Sequence, residues 1–124
     1  MWEGVAISSF RLFLLDSLKK ELAENPKYKG KKLGLMYLFE AEKFPSLEQV
    51  AGLEAADSIN LNFFSKELCP DYIAEVHKLG VGVHVWFKVK SPELDELHYA
   101  KAVELGADII CVNQPVSLWH LLAR

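Results

Sequence analysis

Several apolar runs of this 124-residue chain end in side chains that could bind a ligand. The stretch LGADIICVNQP, residues 105–115, has the pattern of a helix end and a short buried strand that stops at Asn113, Gln114 and Pro115. His84 and Trp86 stand two residues apart in another apolar run, so a strand would place both on one face. Barrels of βα units bind ligands where their strands end. The pattern therefore predicts that these residues meet a ligand at a barrel mouth.

Each candidate also has a structural interpretation. For His84 we expect a packed, hydrogen-bonded core histidine, and acid–base chemistry is the alternative. His77, His98 and His120 fall on predicted helices, where surface or interhelix packing is the expected role. For Trp86, ligand contact and core packing are both open.

The cysteines indicate no metal site. Cys69 and Cys111 lie far apart, in neither a CxxC pair nor a zinc spacing. Cys111 falls in an apolar strand, so we expect a small core residue there.

One pattern repeats about five times: an apolar run, a polar break and an amphipathic helix. The runs are apolar at both odd and even positions, as in parallel strands that are buried on both faces. They cover residues 5–8, 33–39, 58–61, 81–87 and 108–112.

Local signals mark the ends of the predicted helices. Ser46 with Gln49 fits a capping box, and Gly80 and Gly106 fit left-handed C-caps. Pro70 is placed to open a helix, as is the Ser-Pro-Glu run at 91–93. A first helix is predicted over residues 11–24, with leucines along one face, and a short last helix after residue 115.

Serial βα units form either a barrel or an open doubly wound sheet. An open nucleotide-binding sheet would carry a glycine-rich phosphate loop, and neither GxGxxG nor GxxxxGK[ST] occurs. A TIM-type barrel is therefore preferred, but a complete one needs eight strands and usually more than about 200 residues. We expect residues 1–124 to form one domain, a partial TIM-type barrel of about five βα units with unpaired strand edges.

The charge and the apolar runs of the sequence argue against nucleic acids and membranes as partners. A net charge of −3 argues against a nucleic-acid surface, which would need a basic stripe. No apolar run approaches the roughly 20 residues that span a bilayer, and the N-terminus lacks a signal-peptide pattern. The compartment is left open, with the cytoplasm as the default expectation.

Three segments resemble, in order, parts of the glycerophosphodiester phosphodiesterase family: VAISSF at 5–10, HKLGVGVHVWF at 77–87 and LGADIICVNQP at 105–115. The two strands between, LGLMYLF and INLNFF, fit as weaker signals. The resemblance covers nearly the whole chain, but only the C-terminal half of the family's domain. It implies five C-terminal βα units of a (βα)8 barrel that, when complete, hydrolyses glycerophosphodiesters to glycerol 3-phosphate and an alcohol, using a divalent cation such as Mg²⁺ or Ca²⁺.

The family's catalytic motifs do not occur at any predicted strand end of this sequence. They are a His-Arg-Gly, a Glu-x-Asp, a His-Asp and a Glu-x-Lys, which lie mostly in the N-terminal half of the family's domain. The one Glu-x-Asp of this sequence, within the ELDE run from Glu93 to Glu96, falls in the first turns of a predicted helix, where the helix dipole explains the acids better. We therefore expect no catalytic residue, no bound cation and no phosphodiesterase activity in this chain alone.

The resemblance does imply substrate-binding residues. Trp86 matches a tryptophan of the glycerol-binding wall, and Ser9 and Phe10 match a strand end. Ser9 could instead cap the first helix and Phe10 could simply pack. Asn113 stands where the family has a charged aspartate. Lys88 follows the tryptophan, where it could meet a phosphate or be solvated.

Two further interpretations are open. One is a non-catalytic half-barrel that assembles with itself or a partner through its open strand edges. The other is an unrelated βα protein with a pocket where the strand order reverses.

Overall fold

The computed structural model describes residues 6–30, 33–40, 42–88, 95–112 and 123, with side chains from residue 97 onward in the fourth helix. Its strands form one parallel sheet in which each strand neighbours the next in the chain. This order has no reversal, so it is that of a βα barrel and differs from a doubly wound sheet with a switch point. The strands are β1 Ala6–Ser9, β2 Gly34–Leu38, β3 Ser58–Asn62, β4 Gly82–Trp86 and β5 Ile109–Cys111.

Helices alternate with these strands, and several of their predicted ends are confirmed. Both reciprocal hydrogen bonds of the Ser46–Gln49 capping box are present. Gly80 and Gly106 take positive φ angles of 77° and 96° after their helices. The predicted cap at 91–93 and the helix after residue 115 lie outside the described residues. The helices are α1 Leu12–Glu24, α2 Leu47–Ala51, α3 Pro70–Lys78 and α4 Asp95–Leu105, with a 3-10 turn at Pro26–Tyr28.

The main core lies between the sheet and the helices. Ile59 and Leu61 of β3 and Val83 and Val85 of β4 are almost fully buried. They pack in one cluster with helix residues that include Ile73 of α3. Side chains alternate between the faces of a strand, so this face of the sheet points toward the helices and the intervening residues point toward the other, concave face.

An aspartate at the start of a strand ties that strand to the one before it. Asp57 precedes β3; its backbone N–H donates to Leu35 O at 2.8 Å and its Oδ2 accepts from Leu35 N at 2.9 Å. Asp108 precedes β5 and makes the same pair of bonds to Val83, at 2.8 and 2.7 Å. Both aspartates therefore hold neighbouring strands together at the amino ends of the strands. In barrels, residues at this end of the sheet contribute to stability.

Burial on both faces holds only for the central strands. The residues of β1 and β5 are mostly exposed, and Cys111 is exposed, so its expected place in the core was wrong. The reason is its position: each outer strand has one strand neighbour among the described residues, and an apolar pattern cannot tell a central strand from an outer one.

Candidate ligand-binding site on the concave face

Two cross-strand pairs of side chains with polar atoms lie on the concave face of β3 and β4. Asn60 is in register with His84, and Asn62 with Trp86. Neighbouring strands lie about 4.8 Å apart, so each pair is close enough for contact with one ligand group. The first pair lies about 7 Å along the strands from the second, which forms the carboxyl-end rim.

Trp86 is the last residue of β4 and is half-buried. Its carbonyl oxygen accepts from Phe63 N at 2.8 Å, which extends the pairing of β3 and β4 beyond their ends. Trp86 is also in register with the exposed Cys111 of β5. The predicted position at a strand end is confirmed, and the side chain shares its face with Asn62 rather than with the apolar core.

Asn62 organises the rim. Its Oδ1 accepts from Phe64 N at 3.3 Å and from Lys88 N at 3.4 Å, so one buried amide holds the loops after both β3 and β4. No motif marks this residue in the sequence. The available signal was its position at the end of an apolar run.

His84 is a buried imidazole, with 8 % of its surface exposed. Burial lowers its pKa from the ordinary value of 6.5, while the negative charge of Asp108 acts in the opposite direction. The ring is therefore neutral near pH 7 and carries one N–H donor and one acceptor nitrogen. The expected burial is confirmed; the expected hydrogen bond and the acid–base alternative stay predictions.

Asn60 has a buried side-chain oxygen that accepts no hydrogen bond from the described residues. The residue is 7 % exposed. Buried amide oxygens in native proteins nearly always accept a hydrogen bond from protein or from water. Nothing in the sequence distinguished Asn60 from other polar residues in strands.

Lys88 lies just beyond β4 and is exposed. Its Nζ donates to Glu42 Oε1 at 2.6 Å, and this hydrogen bond is the main reason why the pKa of the Glu42 carboxyl is lowered. An open pocket of about 320 Å³ follows β2 and β3 near this pair, lined by Glu42, Asn62 and Lys66 among others. Lys88 therefore has a carboxylate partner at the rim, and its contact with a ligand phosphate stays a prediction.

Ser9 and Phe10 lie at the same edge of the sheet as Trp86 but three strands away, roughly 14 Å along the sheet. Ser9 Oγ accepts from Arg11 N at 3.0 Å, and Arg11 holds the N-cap position of α1 with no side-chain cap. The alternative role of Ser9 as the helix cap was therefore wrong. Phe10 is 55 % exposed, so it does not pack in the core. Asn113 lies outside the described residues.

The other described histidines lie away from the concave face. His77 of α3 pairs with Asp108, Nε2 to Oδ2 at 2.7 Å. His98 of α4 packs among the rings of Phe63, Phe64 and Phe87, and its buried Nδ1 has no partner within the described part of the chain. Helix packing, the expected role, fits His98, whereas His77 makes a specific helix-to-strand contact. His120 is outside the described residues.

The concave face does not fit a divalent cation. Within the described ranges, no group of three or more histidine, cysteine, aspartate or glutamate side chains comes together to hold a metal. Mg²⁺ and Ca²⁺ prefer carboxylate oxygens, whereas Asn60, Asn62 and His84 supply neutral donors. These residues therefore support no metal-assisted step. Among the described residues, no helix combines the length and the apolar character needed to cross a membrane.

The strand order, the alternating helices and the concave face define a partial TIM-type βα barrel. In structure the chain is similar to a glycerophosphodiester phosphodiesterase from Parabacteroides distasonis, with a TM-score of 0.59 and 21 % identity over 94 % of this chain and 42 % of that one. It is also similar to a type I 3-dehydroquinate dehydratase from Clostridium difficile, with a TM-score of 0.47 and 19 % identity over 95 % of this chain and 56 % of that one.

The likeness to the phosphodiesterase supports the fold alone. The likeness to the dehydratase is too weak to support either the fold or a function. No protein-family model matches the sequence, and no curated protein does. The chain spans less than half the length of the phosphodiesterase that it resembles in structure.

Proposed function

We propose that this chain forms the substrate-binding part of a glycerophosphodiester phosphodiesterase barrel. In the complete domain, a glycerophosphodiester is hydrolysed to glycerol 3-phosphate and an alcohol with the help of a divalent cation. The observation that carries the proposal is the position of Trp86, a half-buried indole that ends β4 on the concave face. The three sequence segments that resemble the family and the shared barrel fold support it.

Trp86 has the geometry of a substrate wall. An indole offers a flat apolar surface to the CH groups of a ligand, and Asn62 beside it is held by its two loop contacts. Phe10 and Ser9 stand at the same edge on β1, where they would bound the far side of the mouth. Lys88 would approach the phosphate end of the substrate. The resemblance also assigns Asn113, which stands at the position of the family's aspartate, to the substrate site.

The chain alone supplies binding without turnover. Cleavage of a phosphodiester needs positive charge on the phosphoryl oxygens and a positioned acid and base. None of the family's motifs for these falls at a predicted strand end of the 124 residues, and the buried amides and neutral imidazole of the concave face do not replace them. A partner that provides carboxylates, histidines and the cation would complete the site.

Calorimetric titration of the chain with glycerophosphocholine tests substrate binding. An assay for released choline, in the presence of Mg²⁺ or Ca²⁺, tests whether the chain alone hydrolyses the substrate. We expect saturable binding that Trp86→Ala abolishes, and no choline release. Phe13→Ala is a matched control, because Phe13 is an exposed aromatic on α1. Turnover by the pure chain, or binding that is equal in Trp86→Ala, would contradict the proposal.

A second function, assembly through the sheet edges, is favoured by exposed apolar groups on both outer strands. Ile7 of β1 is 42 % exposed and Ile109 of β5 is 51 % exposed. Outer parallel strands present unpaired backbone groups that attract another strand. If assembly is the function, light scattering will show a concentration-dependent oligomer that Ile109→Lys disrupts, with no effect of glycerophosphocholine.

A further inference from the structure

We propose that a groove between α3 and α4 binds a free α-amino acid with an apolar side chain. The groove has a volume of about 420 Å³, within the range of about 300–1,000 Å³ that is usual for small-molecule sites. It lies in the helix layer, on the opposite side of the sheet from Trp86, so it is separate from the proposed substrate site. Its lining residues are Phe63, Leu68, Pro70, Lys101, Glu104 and Leu105.

Apolar side chains form the floor of this groove, and the core holds them in place. Phe63, Leu68 and Leu105 all pack against the buried cluster between the sheet and the helices. The backbone N–H of Phe63 donates to Trp86 O at 2.8 Å, and its ring centroid lies 5.0 Å from that of Phe87. Both walls of the groove come from helices of the described chain, so no further βα unit is needed to form it.

Two opposite charges on α4 stand at the groove. Residues three and four apart are neighbours on a helix, so Lys101, Glu104 and Leu105 share one face of α4. Lys101 and Glu104 form no ion pair with each other or with another described residue, whereas Glu75 and Lys78 on α3, at the same spacing, lie 2.7 Å apart. The order of the residues accounts for the difference, since a glutamate that precedes the lysine gives the stronger helical pair. Within the described residues, both charges are therefore available to a ligand.

The ligand must match both charges and the apolar floor at once. Lys101 binds an anionic group, and Glu104 binds a cationic group with N–H donors. Neighbours on a helix face are about 5–6 Å apart at Cβ, so the two charges of the ligand must lie close together. An α-amino acid carries its carboxylate and its ammonium on one carbon and can direct an apolar side chain toward Phe63. A fatty acid leaves Glu104 without a partner, an alkylamine leaves Lys101 without one, and the interior of a peptide has amides in place of both charges.

The test is a residue-resolved NMR titration of the full chain with L-leucine, read out at the backbone amides of Phe63, Lys101 and Leu105. We expect all three signals to shift saturably. Three further ligands each lack one feature of leucine: 4-methylpentanoate has no ammonium, 3-methylbutylamine has no carboxylate, and glycine has no side chain. Each should bind about tenfold more weakly than leucine, in line with the loss of one charged hydrogen bond or of the apolar contact.

Two variants assign the charges. Lys101→Gln should weaken the binding of L-leucine about tenfold and leave that of 3-methylbutylamine unchanged, because the amine has no carboxylate for Lys101. Glu104→Gln should weaken L-leucine and leave 4-methylpentanoate unchanged. Lys78→Gln, which removes an exposed lysine from the neighbouring helix α3, is the matched control and should leave every affinity unchanged. The comparison of ligands on the native chain keeps the test decisive if a variant does not fold.

Four outcomes overturn the amino-acid site. L-leucine could leave the three signals in place, or it could bind Lys101→Gln as tightly as the native chain. Equal affinities for L-leucine and 4-methylpentanoate would make the groove a general apolar surface. Equal affinities for L-leucine and N-acetyl-leucinamide, whose two ends carry no charge, would mean that the groove binds a peptide instead. None of these outcomes depends on whether glycerophosphocholine binds at Trp86, so the site and the proposed function are tested separately.

Discussion

Asp108 Oδ2 lies 2.7 Å from both Val83 N and His77 Nε2, so one carboxylate oxygen joins the starts of β4 and β5 to the last turn of α3. The same residue donates its backbone N–H to Val83 O at 2.8 Å. This contact holds β5 in register beside the strand that ends in Trp86, and it lies at the opposite edge of the sheet from the candidate site.

Asp108→Ala should lower the free energy of unfolding by about 1–3 kcal/mol, because it leaves Val83 N without its partner at a partly buried place. Urea denaturation followed by circular dichroism measures this. Glu75→Ala is the control, since it removes only an exposed contact with Lys78, which solvent screens, and should change the stability little. An equal loss of unfolding free energy in both variants would show that the Asp108 contact stabilises the fold no more than an exposed ion pair does.

The Asp108 contact should also make stability fall in acid. Burial raises the pKa of Asp108, but the hydrogen bonds from Val83 N and His77 and the positive charge of His77 and His84 outweigh it, so the net pKa lies below 3.8. A depressed carboxylate pKa contributes stability above the unfolded value that is lost as the pH falls through the folded value. Asp108→Asn should therefore flatten the dependence of unfolding free energy on pH below about 3.8; an unchanged slope would count against this assignment.

His84 should produce a second pH dependence, at higher pH. Burial holds its pKa below 6.5, so as the pH falls through 6.5 the unfolded chain takes up a proton that the folded chain does not. The free energy of unfolding should decrease from pH 6.5 down to the folded pKa and then level off. Urea denaturation between pH 5 and 7.5 measures the slope, and His84→Gln should remove it. A slope that survives in His84→Gln must come from another group.

Ser46→Ala should destabilise α2 by about 1 kcal/mol, because Ser46 Oγ accepts from Gln49 N at the start of this five-residue helix. Gln49→Glu is the conservative control, since a glutamate also completes a capping box. Thermal denaturation of the two variants separates them: the melting temperature should fall for Ser46→Ala and change little for Gln49→Glu. The reverse order would contradict the capping contribution.

Much of the fold could be predicted because local rules dominate it. The capping pair at Ser46 and the left-handed glycines Gly80 and Gly106 are short-range features, and all three were found where the sequence placed them. The exposure of Cys111 could not be predicted, because whether a strand is central or outer depends on how many strands lie beside it.

The candidate site was only partly predictable for a similar reason. The spacing of His84 and Trp86 correctly placed them on one face of β4. Asn60 and Asn62 belong to another strand, and their relation to β4 depends on the register between the strands, which no local pattern encodes. The N-cap of α1 is likewise Arg11, two residues after Ser9, and the local pattern did not fix this position.

Binding of glycerophosphocholine at Trp86 is the most direct test of the proposed substrate site. The measurement is the indole N–H signal of Trp86 in an NMR titration of the full chain, assigned by its loss in Trp86→Phe. We predict a saturable shift of this signal as glycerophosphocholine is added. An indole signal that stays in place while the sheet remains folded would contradict the role of this half-barrel as a glycerophosphodiester-binding wall.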